Sequence, residues 1–94
     1  VDRLVQEEYS MNDNKIRRLI MENLPNTPRG QASKIYLKIA VQQDASAFNE
    51  TVTDDDFDRN LSWLNSQQCL VVFRDGFVKA TASGLNGYGL LNKY

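Results

Sequence analysis

The segment from Cys69 to Thr81 constrains the fold most, because it predicts an antiparallel β-hairpin. Cys69–Phe73 is an apolar run rich in β-branched and aromatic residues, the composition typical of a strand. Asp75 and Gly76 follow, the dipeptide preferred in a two-residue type I′ turn, and Phe77–Thr81 predicts the returning strand. Because the rest of the chain shows helical periodicity, the sequence predicts an α+β protein.

Two helices are predicted before residue 44. The first runs from Asn14 to Leu24, capped by Asn12 or Asp13, and Pro25 ends it. The second covers residues 31–43, where the apolar residues fit either a helix or an alternating strand. Its length favours the helix. The apolar positions that fit a helix are Ala32, Ile35, Tyr36, Ile39 and Ala40, and those that alternate as in a strand are Ile35, Leu37, Ile39 and Val41.

A third helix is predicted from Thr53 to about Ser66. The Thr53 hydroxyl can cap it, and the aspartates at 54–56 occupy the first turn, where the positive end of the helix dipole favours carboxylates. Phe57, Leu61 and Leu64 follow at helical spacing. Residues 44–52 fit a loop, a short helix or an edge strand, and the sequence leaves that choice open.

Both ends of the chain are less regular. Residues 1–10 are interpreted as an N-terminal extension, processed end or expression segment, with Val1, Leu4, Val5 and Tyr9 spaced as on a short amphipathic helix. The glycines at 84, 87 and 89 predict an irregular tail or loose final turn that packs back. We therefore expect one domain over residues 11–94, mostly α, with three to four helices followed by a C-terminal hairpin.

Composition restricts the chemistry that this domain can perform. The chain has no histidine and one cysteine, Cys69, so catalysis through a Ser-His-Asp or Cys-His set and metal binding by histidine are excluded. Cys69 opens an apolar strand and is expected to be a buried, inert thiol. We expect no enzymatic activity, no catalytic residue, no metal and no cofactor. The longest apolar run has five residues, which predicts no membrane partner and a cytoplasmic location.

The stretch from residue 53 to residue 91 resembles a winged-helix domain. The resemblance lies in the capped helix, the hairpin with Asp75-Gly76, and the closing run Ala80-Thr81-Ala82-Ser83-Gly84-Leu85. It implies a small DNA-binding or transcription-regulator module whose helix before the hairpin enters the major groove. Carried over, the resemblance makes Arg59, Asn60, Ser62 and Trp63 candidates on the recognition helix, and Arg74 and Lys79 candidates on the wing.

Charge is divided unevenly along the chain, whose net charge is −1. Residues 14–43 hold six basic residues and one acidic residue, whereas residues 44–66 hold six acidic residues and one basic residue. The basic segment is a candidate surface for the phosphates of duplex DNA. Its candidate contacts are Arg17, Arg18, Arg29, Lys34 and Lys38.

The acidic segment supports an alternative function, a protein-interaction module that docks a basic or apolar partner. The candidate residues for that role are Asp54, Asp55, Asp58 and Trp63, although Trp63 on a helix with Phe57 and Leu64 also fits the core. A further interpretation is that the two charged segments complement each other, within one chain or between the copies of a homodimer.

Overall fold

The computed structural model describes residues 9–25, 27 and 30–91. It is α+β and mostly helical, which confirms the predicted class. The described elements are β1 (Tyr9–Ser10), α1 (Asp13–Asn23), β2 (Gln31–Ser33), α2 (Lys34–Ala47), β3 (Glu50–Thr51), α3 (Asp54–Ser66), β4 (Leu70–Val72), β5 (Phe77–Ala80) and α4 (Ala82–Gly87).

The strands form two small sheets. The larger is antiparallel with strand order β2-β5-β4, so that β5 pairs on both sides and Ala32 lies opposite Val78. The other is a parallel pair in which Tyr9 of β1 lies opposite Glu50 of β3. Alternation along the strands gives the larger sheet an inner face against the core and an outer face. The outer face carries Gln31, Ser33, Val71, Phe73, Phe77 and Lys79.

The core lies between the helices and the inner face of the larger sheet. Helix α1 packs against both α2 and α3. The fully buried large side chains come from every helix and from both strands of the hairpin, and include Ile16, Ile20, Leu37, Val41, Phe57, Leu64, Leu70, Val78 and Leu85.

Helix α2 differs from its prediction in bounds and in buried face. Residues 31–33 form β2, and the helix extends to Ala47, so six residues lie between the end of α2 and the start of α3. Its buried stripe is Leu37, Val41 and Ala45, spaced four residues apart. This stripe differs from the apolar positions that fitted the helical pattern, because α2 is apolar on two opposite sides and the other side packs against α1.

Local capping sets where the helices begin. Asn12 caps α1, and its side chain accepts a hydrogen bond from the Lys15 amide at 2.9 Å. Thr53 caps α3 as predicted, because its hydroxyl accepts from the Asp56 amide at 3.0 Å and the Asp56 carboxylate accepts from the Thr53 amide at 3.3 Å. This reciprocal pair satisfies two backbone donors that the helix leaves free.

Replacing Thr53 by alanine is expected to lower the free energy of unfolding by about 1 kcal/mol, because an orphan amide of α3 loses its acceptor. Urea denaturation followed by circular dichroism measures this change. Ser62→Ala, on the exposed side of the same helix, is the matched control and should leave stability nearly unchanged. Equal stabilities for the two variants would contradict a stabilising role for the cap.

The hairpin is present, but its turn is not the predicted type I′. A type I′ turn needs positive φ at both central residues, and Asp75 is not among the described residues with positive φ. Because the Phe73 amide donates to the Phe77 carbonyl at 2.8 Å, the loop has three residues rather than two. Gly76, with a φ of 88°, takes the left-handed position that follows a tight turn in such loops.

Regular structure also forms in both terminal segments that the sequence predicted to be less regular. Tyr9 lies in β1 rather than on an N-terminal helix, while Val1, Leu4 and Val5 lie outside the described residues. The predicted loose tail forms α4, which Thr81 caps, and it packs back onto the core through Leu85 and Leu90.

Candidate interaction site

Ion pairs join the basic segment to the acidic one within the chain. Lys34 and Lys38 of α2 lie 3.5 Å from carboxylate oxygens of Asp58 and Asp54 of α3, respectively. These four residues were candidates for binding DNA or a protein partner. The pairing shows that the two segments neutralise each other across neighbouring helices.

A second group of charges joins α1 to α3. The Arg59 guanidinium lies 2.7 Å from Asp13 and 3.2 Å from Asp56. Hydrogen bonds donated by Asn60 and Arg59 lower the pKa of Asp13 below its ordinary value, and Asp13 in turn raises the pKa of Arg59. Arg59, a candidate for reading bases, is therefore committed to two carboxylates of its own chain.

Asn60 lies at the centre of this group and is fully buried. Its carbonyl oxygen accepts from Arg17 Nε at 2.8 Å, and its amide nitrogen donates to Asp13 at 3.1 Å and to the Asp56 carbonyl at 2.9 Å. The resemblance to a winged-helix domain predicted Asn60 on a DNA-reading face. Burial with every polar atom bonded gives it a structural role instead, because its amide cannot reach a base edge.

Trp63 is an exposed side chain of α3 and does not belong to the core. It is 38% exposed, and the Arg17 guanidinium carbon lies 3.8 Å from the centroid of its ring. The interpretation of Trp63 as a core residue is therefore wrong. Arg17 is therefore engaged by Asn60 and by the ring rather than free to contact phosphate.

The remaining candidate cations are Arg18, Arg29, Arg74 and Lys79, and the last two lie on the hairpin. Arg18 pairs with Glu22 at 3.5 Å and lies over the Tyr88 ring, and Arg29 lies outside the described residues. Arg74 and Lys79 are both exposed. Within the described part of the chain they are the cations that form no ion pair or ring contact.

The least expected surface is an apolar stripe on α2, made of Ile35, Tyr36 and Ile39. These side chains are 68%, 56% and 48% exposed, and they lie opposite the buried stripe of the same helix. The sequence signal for these exposed side chains is that residues 31–43 carry more apolar positions than one side of a helix accounts for. We name Ile35, Tyr36 and Ile39 the α2 stripe.

Small cavities open on the surface of the described part of the chain, of which two are informative. One, of about 230 Å³, is lined by Met11, Leu19 and Phe48 with charged residues at its rim, and is smaller than common ligand pockets. The other, of about 340 Å³, lies on the outer face of the hairpin beside Phe73 and Phe77.

The described residues offer little for metal or thiol chemistry. They contain no group of three or more acidic or cysteine side chains placed to hold a metal ion. Cys69 is half-buried, and burial raises the pKa of its thiol, which disfavours the reactive thiolate. No helix in this part of the chain is long and apolar enough to cross a membrane.

Comparison with known proteins gives no relative. No protein-family model matches the chain, and no curated protein or solved structure matches it significantly.

Proposed function

We propose that this chain is a non-enzymatic protein-interaction module that docks a partner through the α2 stripe. The observation that carries the proposal is the exposure of Ile35, Tyr36 and Ile39 side by side on one helix. A cluster of large apolar side chains costs free energy in water, and such patches on small proteins mark interaction sites. Aromatic residues are enriched and charged residues depleted at the centre of protein interfaces, which fits this composition.

The charge distribution also favours a protein partner over duplex DNA. A surface for DNA needs a continuous set of free cations, because phosphate contacts supply most of the non-specific affinity. Here Lys34, Lys38 and Arg59 are each paired with carboxylates of α3. The same pairs weaken the idea that the acidic helix itself docks a basic partner, since Asp54 and Asp58 already have cations beside them.

A second candidate function, nucleic-acid contact at the hairpin, is favoured by Arg74 and Lys79. The order of the elements supports it, since a strand between α1 and α2, followed by α3 and a hairpin in a β2-β5-β4 sheet, is compatible with the winged-helix arrangement we propose for the domain. Two free cations suffice for a weak contact only. We therefore place this function second, and a cytoplasmic location stays a prediction.

Site-specific photocrosslinking tests the first proposal. The photoreactive amino acid p-benzoylphenylalanine replaces Tyr36 in the full chain, which is irradiated both in a host lysate and as purified protein. We expect a covalent protein adduct at position 36 that Ile39→Lys suppresses, because the charge disrupts apolar docking. The same amino acid at Phe48, an exposed aromatic outside the α2 stripe, is the matched control and should give no Ile39-dependent adduct.

The alternative outcomes are distinct. If no adduct forms at position 36, in lysate or in the pure protein, the α2 stripe is not a docking site and the proposal fails. Salt-dependent binding of duplex DNA near ~10⁻⁵ M that Arg74→Ala with Lys79→Ala abolishes would move nucleic-acid contact to first place. Lys15→Ala is its control, because Lys15 is already paired with Glu50.

A further inference from the structure

We propose that the partner of the α2 stripe is a second copy of this chain, bound with the two α2 helices antiparallel about a two-fold axis between Ile35 and Ile39. This inference rests on the proposed function and names the occupant of its site. It assigns a self-association surface to a helix face that is exposed in the described part of the chain.

The spacing of the two isoleucines suits this geometry. Ile35 and Ile39 lie one turn apart on the same side of α2. When two such helices pack antiparallel about a two-fold axis, Ile35 of each copy faces Ile39 of the other, and Tyr36 flanks the contact. A two-fold interface uses the same patch twice, and it is the commonest arrangement of soluble oligomers.

The charges around the α2 stripe permit a copy to approach. Further along the same side of the helix lie Gln43 and Ser46, which are uncharged. The nearest cations, Lys34 and Lys38, already have carboxylates of α3 beside them. Two identical faces therefore meet without like-charge repulsion, whereas a strongly charged partner would find no complementary free charge there.

The exposed area of the α2 stripe limits the size of the interface between the two copies. The exposed parts of the three side chains provide roughly 350 Å² from each copy, below the ~800 Å² per partner of a standard stable interface. The dimer should therefore be weak and reversible, since interfaces below the standard size are typical of transient contacts.

Sedimentation equilibrium of the purified chain from about 5 µM to about 1 mM, a range wide enough to detect a weak and reversible dimer, tests the inference. We expect the apparent mass to rise from 10.7 kDa toward twice that value. Ile39→Lys and Ile35→Lys should each weaken dimerisation at least ~10-fold, because each buries a charge against the partner copy. Val71→Lys is the matched control: Val71 is 41% exposed, but on the outer face of the sheet, and its substitution should leave the association constant unchanged.

Disulfide trapping tests the orientation. On a Cys69→Ser background, Ile35→Cys protein is mixed with Ile39→Cys protein under mild oxidation. The antiparallel arrangement predicts that the mixed dimer forms at least ~10-fold faster than either symmetric dimer, because thiols join only where their α-carbons come within about 7 Å. Faster symmetric crosslinking at position 35 or 39 would overturn this arrangement.

Two results overturn the inference as a whole. The first is a chain that stays monomeric up to about 1 mM, and the second is dimerisation that Val71→Lys weakens as much as Ile39→Lys does. The proposed function is tested separately, by the photocrosslinking experiment. An Ile39-dependent adduct at position 36 with a different protein would support the α2 stripe as a docking site and would exclude the second copy as its occupant. Circular dichroism of each lysine variant confirms that it is folded before its mass is measured.

Discussion

Gly84→Ala is expected to destabilise the protein by about 3 kcal/mol, a large share of the stability of a small domain. Gly84 is buried in α4, and a Cβ atom there would overlap the Cys69 carbonyl oxygen and lie 2.6 Å from the Cys69 α-carbon. Both groups are backbone and cannot turn away as a flexible side chain would. The methyl group therefore forces α4 away from the junction between α3 and β4.

Gly87→Ala is the matched control, because Gly87 belongs to the same helix and has open space where a Cβ would stand. Helix propensity alone favours alanine over glycine by about 1 kcal/mol, so this variant should be slightly stabilised while Gly84→Ala is strongly destabilised. Chemical denaturation of both variants gives the two changes in unfolding free energy. Changes of the same sign would contradict the close approach of α4 to Cys69.

Asn60→Ala is expected to cost about 2–3 kcal/mol, because it removes three hydrogen bonds from a buried position and leaves Arg17 and Asp13 short of partners. Asn65→Ala serves as control, since Asn65 is an exposed asparagine on the same helix and the same change in helix propensity applies. Urea denaturation at pH 7 measures both variants. A loss no larger than that of Asn65→Ala would show that the network adds nothing to stability.

The destabilisation caused by Asn60→Ala should also depend on pH. The hydrogen bond from Asn60 is the largest cause of the lowered pKa of Asp13. A carboxylate whose pKa is lowered by folding stabilises the native state above its unfolded pKa, ordinarily 3.8, and that contribution is lost as the pH falls through the folded pKa. The stability difference between Asn60→Ala and the unmodified protein should therefore shrink at about pH 2.5. A difference that is the same at both pH values would exclude the Asp13 carboxylate as its source.

Local chemistry allowed part of this structure to be predicted from the sequence. The start of α3 follows from Thr53 and Asp56, since a cap acts between residues three positions apart. The hairpin follows from the apolar run at 69–73 and from Gly76, although the loop has one residue more than predicted. Strand β2 was not separated from α2, because three residues carry too little periodicity to show a change of structure.

The candidate site was predicted less well than the fold, because its residues are defined by contacts between distant parts of the chain. The sequence placed Lys34, Arg59 and Asn60 on a surface for DNA, whereas the structure gives each of them a partner in its own chain. The exposure of the α2 stripe was not predicted for the same reason. Nothing within residues 31–43 says which of two apolar sides will meet α1.

The sequence alone determined the start of α3, the position of the hairpin and the absence of histidine chemistry, because each depends on composition or on neighbours within a few residues. The tertiary structure decided which side of α2 is buried and which charges remain free. Asn60 and Asp13 are 47 positions apart, and only the packing of α3 against α1 brings them within 3.1 Å. The packing of α2 against α1 buries Leu37 and Val41, leaves Ile35 and Ile39 in solvent, and so creates the surface on which the proposed function depends.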